Sequence, residues 1–135
     1  MASSSERSDG PLVLLVEDND ATARLVGEML RANGYRITHV CDGQLGVEAV
    51  RDVRPDLILM DLQLPRLDGI SATRMIKANP TTAEIPILAF TAHALDEHRE
   101  RMLAAGCCGY VTKPISYRAF LDTIAGVLNI ERGAT

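Results

Sequence analysis

Asp56-Leu57-Ile58-Leu59-Met60-Asp61-Leu62-Gln63-Leu64-Pro65 decides the fold. Leu57 to Met60 is apolar at every position, so neither face of this segment is meant for water. That pattern suits a strand in a parallel sheet covered by helices on both sides. Asp61 ends the run, and Pro65 with Asp68-Gly69 punctuates the loop that follows.

Reading outward, the same alternation repeats. Toward the N-terminus, Leu45 to Val53 reads as a helix closed by Arg54-Pro55, because the residue before proline is pushed out of the helical region. Tyr35 to Val40 is a strand with Asp42-Gly43 as its turn. Asp20 to Asn33 is a helix with Ala21, Leu25, Met29 and Leu30 on one face and Gly34 as its stop. Leu12 to Val16 is a buried strand ended by Glu17-Asp18-Asn19. Toward the C-terminus, Ile70 to Ala78 is a helix, and Ile87 to Phe90 a strand with Pro86 at its start, where a missing donor is tolerated. Leu95 to Ala105 is a helix, Gly109 to Thr112 a strand, and Tyr117 to Ile130 a final helix with Phe120, Ile124, Val127 and Leu128 at helical spacing. Five strands alternating with five helices predict an α/β fold: an open, doubly wound parallel sheet with right-handed crossovers. Residues 11–131 form the domain; 1–10 read as a solvated, serine-rich tail and 132–135 as a short C-terminal one.

Composition narrows the function. The 135 residues carry 14 Lys and Arg against 18 Asp and Glu, a net charge of −4 with no basic block. The clustered positive footprint of a nucleic-acid binder is missing. No apolar run approaches the roughly 18–20 residues that span a bilayer, and no signal peptide is visible. Cys41, Cys107 and Cys108 are odd in number and two are adjacent, which suits reduced thiols and a cytoplasmic location. Aromatics are only 4% of the chain, so aliphatic side chains must build the core.

Ligands in open parallel sheets bind where the strands end. Strand one ends in Glu17-Asp18, strand three in Asp61, strand four in Thr91 and strand five in Thr112-Lys113-Pro114. With the common order 2-1-3-4-5, strands one and three are neighbours, so Glu17, Asp18 and Asp61 converge. Two carboxylates about 4 Å apart repel by about 4 kcal/mol at an effective dielectric of roughly 20. Lys113 supplies one positive charge and a hard divalent ion the rest, with all-oxygen donors favouring Mg²⁺ over zinc. A carboxylate beside Mg²⁺, a lysine and a hydroxyl has the makings of a phosphoryl acceptor: Asp61 as nucleophile, Lys113 and Thr91 on the phosphoryl oxygens.

The set Val16-Glu17-Asp18-Asn19, Asp56 to Pro65 with Asp68-Gly69, Thr91-Ala92 and Lys113-Pro114 resembles the receiver domain of two-component response regulators, in the CheY-like superfamily. The likeness runs from about Leu12 to Ile130. It implies a flavodoxin-like (βα)₅ sandwich phosphorylated on one aspartate by a histidine kinase or phosphotransfer protein. By that resemblance Asp61 is the phosphoacceptor, Glu17 and Asp18 hold Mg²⁺ with Asp61, and the main-chain carbonyl of Gln63 is a further ligand. Thr91 and Lys113 are the switch pair, Tyr110 the aromatic whose rotamer follows phosphorylation, and Ala92 the small residue that leaves the phosphate accessible. A cis bond before Pro114 is also implied. Glu17 departs from the aspartate many members carry, a common variant.

Single residues admit plainer readings. Glu17-Asp18 taken alone would be a helix-capping cluster. Tyr110 could be only a half-buried aromatic at the sheet's edge. His93 and the Gln63 side chain either modulate how water reaches the acyl phosphate or are solvated loop residues. Cys107-Cys108 reads as packed thiols, and His39 and His98 are assigned nothing. Six polar residues in a row, Asp96 to Arg101, leave the fourth helix only a narrow packing stripe. The resemblance makes its face, with strand five and helix five, the surface where phosphorylation is read out.

A haloacid-dehalogenase-like phosphatase also uses an aspartate after a strand, but places a second acid two residues on, where this chain has Gln63. A flavodoxin-like cofactor binder needs a Gly- and Ser/Thr-rich phosphate loop, and the loop after strand one is acidic. No DNA-binding output segment follows Ile130, so the expected output is docking on a downstream protein, as a monomer or weak dimer without direct nucleic-acid or membrane contact. The chain looks most like stand-alone DivK-type regulators and the receiver segments of hybrid histidine kinases.

Overall fold

The structure, a computed structural model, describes residues 10–91, 96–113 and 116–128, with the backbone alone at 96–98. Its elements alternate as β1 (Leu12–Val16), α1 (Asp20–Ala32), β2 (Arg36–Val40), α2 (Gly43–Val53), β3 (Leu57–Asp61), α3 (Gly69–Ala78), β4 (Ile87–Thr91), α4 (Asp96–Ala105), β5 (Gly109–Thr112) and α5 (Tyr117–Val127). The strands form one parallel sheet in the order β2-β1-β3-β4-β5, as expected from the sequence.

Alternate residues of the central strands supply two apolar layers. Val13, Leu15, Leu57, Leu59, Leu88 and Phe90 pack under α1 and α5, against Val26, Leu30, Phe120 and Ile124. Leu14, Val16, Ile58, Met60, Ile87 and Ala89 pack on the other face, against Val50, Ile70, Ile76 and Met102 from α2, α3 and α4. Every residue of β3 and β4 is buried, which is why those strands read as unbroken apolar runs. No described helix is long and apolar enough to cross a membrane.

The starts of α1, α2 and α3 follow side-chain caps. Asn19, Asp42 and Asp68 accept from the backbone N–H groups of Thr22, Leu45 and Ser71 at 2.9, 2.8 and 2.9 Å. α2 therefore begins at Gly43, two residues before the apolar pattern suggests, because the Asp42 cap opens it there. It ends at Arg54, whose φ of 49° before Pro55 leaves the helical region.

The face of α1 differs from the sequence reading. Ala21 and Leu25 point outward, Leu25 at 52% exposure, while Ala23, Val26, Gly27, Met29 and Leu30 are buried. Spacing 23, 26, 27, 30 makes the stripe that meets the sheet, and Leu25 lies about 100° round the helix from Val26. Met29 and Leu30 lie on the packed face, as the sequence reading had them. In α5, Phe120 and Ile124 are buried, and Val127 and Leu128 pack partly against them. Leu95 and Ile130, the sequence-based bounds of α4 and α5, lie outside the described residues.

Candidate functional site

Parallel register carries the acidic residues to one rim. Val16 pairs with Met60, so the next residues along, Glu17 after β1 and Asp61 at the end of β3, sit side by side. Asp18 completes the group: one carboxylate oxygen from each of Glu17, Asp18 and Asp61 lies within 4.8 Å of the others. Glu17 is 1% exposed and Asp61 5% exposed, while Asp18 faces solvent.

Each buried carboxylate is held by both oxygens. Glu17 Oε2 accepts from the Asn19 N–H at 3.0 Å, and Oε1 receives the Lys113 ammonium at 2.7 Å. Asp61 Oδ1 accepts from the Gln63 N–H at 3.1 Å, and Oδ2 lies 3.4 Å from Lys113 Nζ. Lys113 reaches in from the end of β5, where its N–H bonds the Thr91 carbonyl at 2.9 Å and its ammonium sits 4.7 Å from the centre of the Phe90 ring. Burial pushes the Asp61 carboxyl up to about 6. The Gln63 N–H opposes that rise, the negative charge of Glu17 adds to it, and Lys113 opposes it.

Thr91 closes β4, buried at 1% exposure. Tyr110 is half-buried in β5 opposite Ala89, and the Arg99 guanidinium lies 4.9 Å from the centre of its ring. The Gln63 side chain is exposed. Ala92, His93 and Pro114 lie outside the described residues, as does the side chain of His98. Cys107 is buried while Cys108 and Cys41 are exposed, so only one of the adjacent thiols packs.

Two participants were not foreseen. His39, to which the sequence reading assigned nothing, has Nε2 2.7 Å from the Glu17 carbonyl oxygen. The signal for it lay in the β1–β2 register, which sets His39 opposite Leu15, two residues before Glu17. Asp42, read as part of a plain turn, is buried at 4% exposure and uses one oxygen to cap α2 and the other to meet Arg66. The apolar helix pattern beginning just after Asp42 was the available sign of a cap.

The sheet that carries this rim has counterparts among known proteins. The family model described as response regulator receiver domain matches residues 13–125. The chain is 38% identical over 116 residues to the polar-differentiation response regulator DivK of Brucella anthropi, covering 86% of this chain and 94% of that protein. Among solved structures it is similar to the receiver domain of sensor histidine kinase PA1611 from Pseudomonas aeruginosa, crystallised with magnesium coordinated in its active-site cleft. That likeness has a TM-score of 0.83 and 42% identity over 89% of this chain and 98% of the other. The chemotaxis protein CheY4 of Vibrio cholerae, 24% identical, shares the fold with a TM-score of 0.83 over 87% of this chain and 98% of its own. A match that starts in β1 and ends in α5 takes in every strand of the sheet, and the chain belongs to the family of response regulator receiver domains.

Proposed function

We propose that this chain takes a phosphoryl group onto Asp61 in a Mg²⁺-dependent step, from a histidine kinase or phosphotransfer protein in the cytoplasm, and passes the signal on by altered docking to a downstream protein. It acts as a signalling domain whose only chemistry is its own phosphorylation and dephosphorylation. The observation that carries the proposal is the placement of Asp61: nearly buried at the end of β3, with Glu17 beside it and Lys113 at 3.4 Å.

The donor set fits magnesium. One lysine against three carboxylates leaves local negative charge uncompensated, and every donor is a hard oxygen on a rim that Asp18 opens to solvent. Glu17, Asp18, Asp61 and the Gln63 main-chain carbonyl would hold the ion. When bound, it would neutralise charge building on the phosphoryl oxygens.

The protein's own groups do the rest. With its carboxyl titrating at about 6, Asp61 is mostly ionised at neutral pH and presents a carboxylate for in-line attack on phosphorus. The new O–P bond forms as the donor's bond to phosphorus breaks, and the donor leaves with that electron pair. The Gln63 N–H on Oδ1 fixes the rotamer of the acceptor, a pre-organisation that lowers the entropic part of the barrier. Lys113 moves its charge from Glu17 to a phosphoryl oxygen, and the Thr91 hydroxyl takes another. Tyr110 follows Thr91 along β4–β5 and carries the change to the face formed by α4, β5 and α5. His93 and the Gln63 side chain set the path of water to the acyl phosphate.

A second reading treats the chain as the receiver segment of a hybrid histidine kinase. The 42% identity to a sensor kinase's receiver domain favours it, and the chemistry at Asp61 is the same in both. Incubation with acetyl phosphate, with and without Mg²⁺, followed by intact mass tests the proposal. One phosphoryl adduct that requires Mg²⁺ and is lost in Asp61→Asn is expected; labelling that survives this substitution would place the acceptor elsewhere.

A further inference from the structure

The loop between β3 and α3 leaves directly from Asp61 and supplies the Gln63 N–H that holds Asp61 Oδ1. Its C-terminal end is fixed by a backbone bond from Gly69 N–H to the Leu62 carbonyl at 3.0 Å. Its middle, around Arg66 and Leu67, has no strand or helix of its own to hold it. There the β2–α2 corner approaches. Asp42, buried at 4% exposure, caps α2 with Oδ1 through the Leu45 N–H and turns Oδ2 to Arg66 Nε at 3.5 Å. Gly43 lies so close that a Cβ there would fall 1.9 Å from the Leu67 carbonyl oxygen and 2.8 Å from its carbon, both backbone atoms.

The loop bends to make this contact. Arg66 adopts φ 67°, a left-handed conformation that a residue with a Cβ takes at a cost. Leu67 N–H closes a tight turn onto the Pro65 carbonyl at 2.7 Å. A strained residue, a buried carboxylate and a glycine with no room for a side chain therefore meet at one point. The cap uses only one of the two Asp42 oxygens, which leaves the other for Arg66.

We infer that Asp42 and Gly43 at the β2–α2 corner clamp the loop that follows Asp61, through Arg66 and Leu67, and so fix the Gln63 N–H that orients the Asp61 carboxylate. They are positioning residues; neither touches the reacting atoms. The inference rests on the reading of Asp61 as acceptor for its functional consequence, but its structural half stands apart from that reading.

Two substitutions separate clamp from scaffold. Asp42→Asn keeps a side chain that caps a helix as well as aspartate and removes the charge opposite Arg66. Arg66→Gly removes the other partner while relieving the left-handed backbone, so Tm should stay close to wild type. Hydrogen exchange of the Gln63 N–H, measured by NMR without metal or phosphodonor, should quicken by about two- to fivefold in both variants, the range an exposed ion pair supports. Their phosphorylation by acetyl phosphate at saturating Mg²⁺ should slow by at least that factor. Gly43→Ala, which must displace the Leu67 backbone, should do both to a greater extent. Wild-type exchange at Gln63 in Asp42→Asn and Arg66→Gly would overturn the clamp, and so would faster exchange with phosphorylation at the wild-type rate. If the wild-type protein takes no phosphoryl group, the acceptor reading fails and the exchange data alone decide whether the corner holds the loop.

Discussion

The Lys113 ammonium lies nearer to Glu17 than to Asp61, 2.7 Å from Oε1 of the first and 3.4 Å from Oδ2 of the second. The Lys113 charge thus meets part of the negative field that a divalent ion held by Glu17, Asp18 and Asp61 would also meet.

Lys113→Ala should therefore act in two directions. Removing the Lys113 ammonium from Glu17, 1% exposed, leaves a buried carboxylate without its counter-charge, and stability in EDTA should fall by about 1–3 kcal/mol at pH 7. Mg²⁺ should bind the variant more tightly, on the order of tenfold, because one unit of positive charge has left the cluster. Isothermal titration and urea unfolding read the two effects separately; an unchanged affinity would mean that Lys113 and the metal do not share a field.

Asp61→Asn should stabilise the metal-free protein at neutral pH. The folded carboxyl titrates at about 6 and the unfolded one near 3.8. Below about pH 4 both states are protonated and the carboxyl carries no penalty. As pH rises through the folded value, the unfolded state has already released its proton and folding loses that stability. Above about pH 6 the loss is complete, on the order of 3 kcal/mol. The variant should show a gain of that size at pH 7 in EDTA and almost none at pH 4, measured by chemical unfolding. Adding Mg²⁺ should narrow the gap at pH 7, since the ion stabilises only the wild-type carboxylate strongly.

The sheet was legible because β3 and β4 are buried on both faces, and a segment such as Leu57 to Met60 has no other way to hide its side chains. The meeting of Glu17, Asp18 and Asp61 followed from strand order alone, since a carboxylate after β1 and one ending β3 share a rim in any 2-1-3-4-5 sheet. What periodicity could not supply was rotation and reach. Leu25 is apolar yet exposed, because the stripe on α1 is set by where the sheet lies and not by which residues are apolar. His39 meets the Glu17 carbonyl through cross-strand register, and the preference of Lys113 for Glu17 depends on the path of a long side chain from β5. Asp42 is buried by a loop from a distant segment, a contact no local pattern encodes.

The cysteines should differ sharply in reactivity. Burial pushes the Cys107 thiol up to about 11, with the Thr73 hydroxyl 4.0 Å away opposing it slightly; Cys41 and Cys108 are exposed, although burial also raises the Cys108 thiol. A thiol-reactive dye at pH 8 should label two sites in the folded protein and the third only at the rate of unfolding. Peptide mapping that found Cys107 labelled as fast as Cys41 would contradict the packing of α3 against that thiol.

Gly69 should tolerate no side chain. A Cβ there would fall 2.1 Å from the Asp61 carbonyl oxygen and 2.8 Å from the Leu62 Cα, backbone atoms that cannot rotate away. The first turn of α3 is thus seated directly against the residue that ends β3, and it must move, or β3 must, to admit a methyl group. Overpacking of this kind costs about 1–3 kcal/mol where the structure can yield. Here the yielding part carries Asp61, so Gly69→Ala should lower stability by that amount and also reduce Mg²⁺ affinity, with the two losses appearing together. Ser71→Ala is the control. It removes the Ser71 hydroxyl's bond to the capping Asp68 at 3.0 Å but keeps the Ser71 N–H cap and introduces no clash, so it should cost a little stability and leave metal binding untouched. Equal metal binding in Gly69→Ala and wild type would show that the Asp61 backbone is indifferent to the helix seated on it.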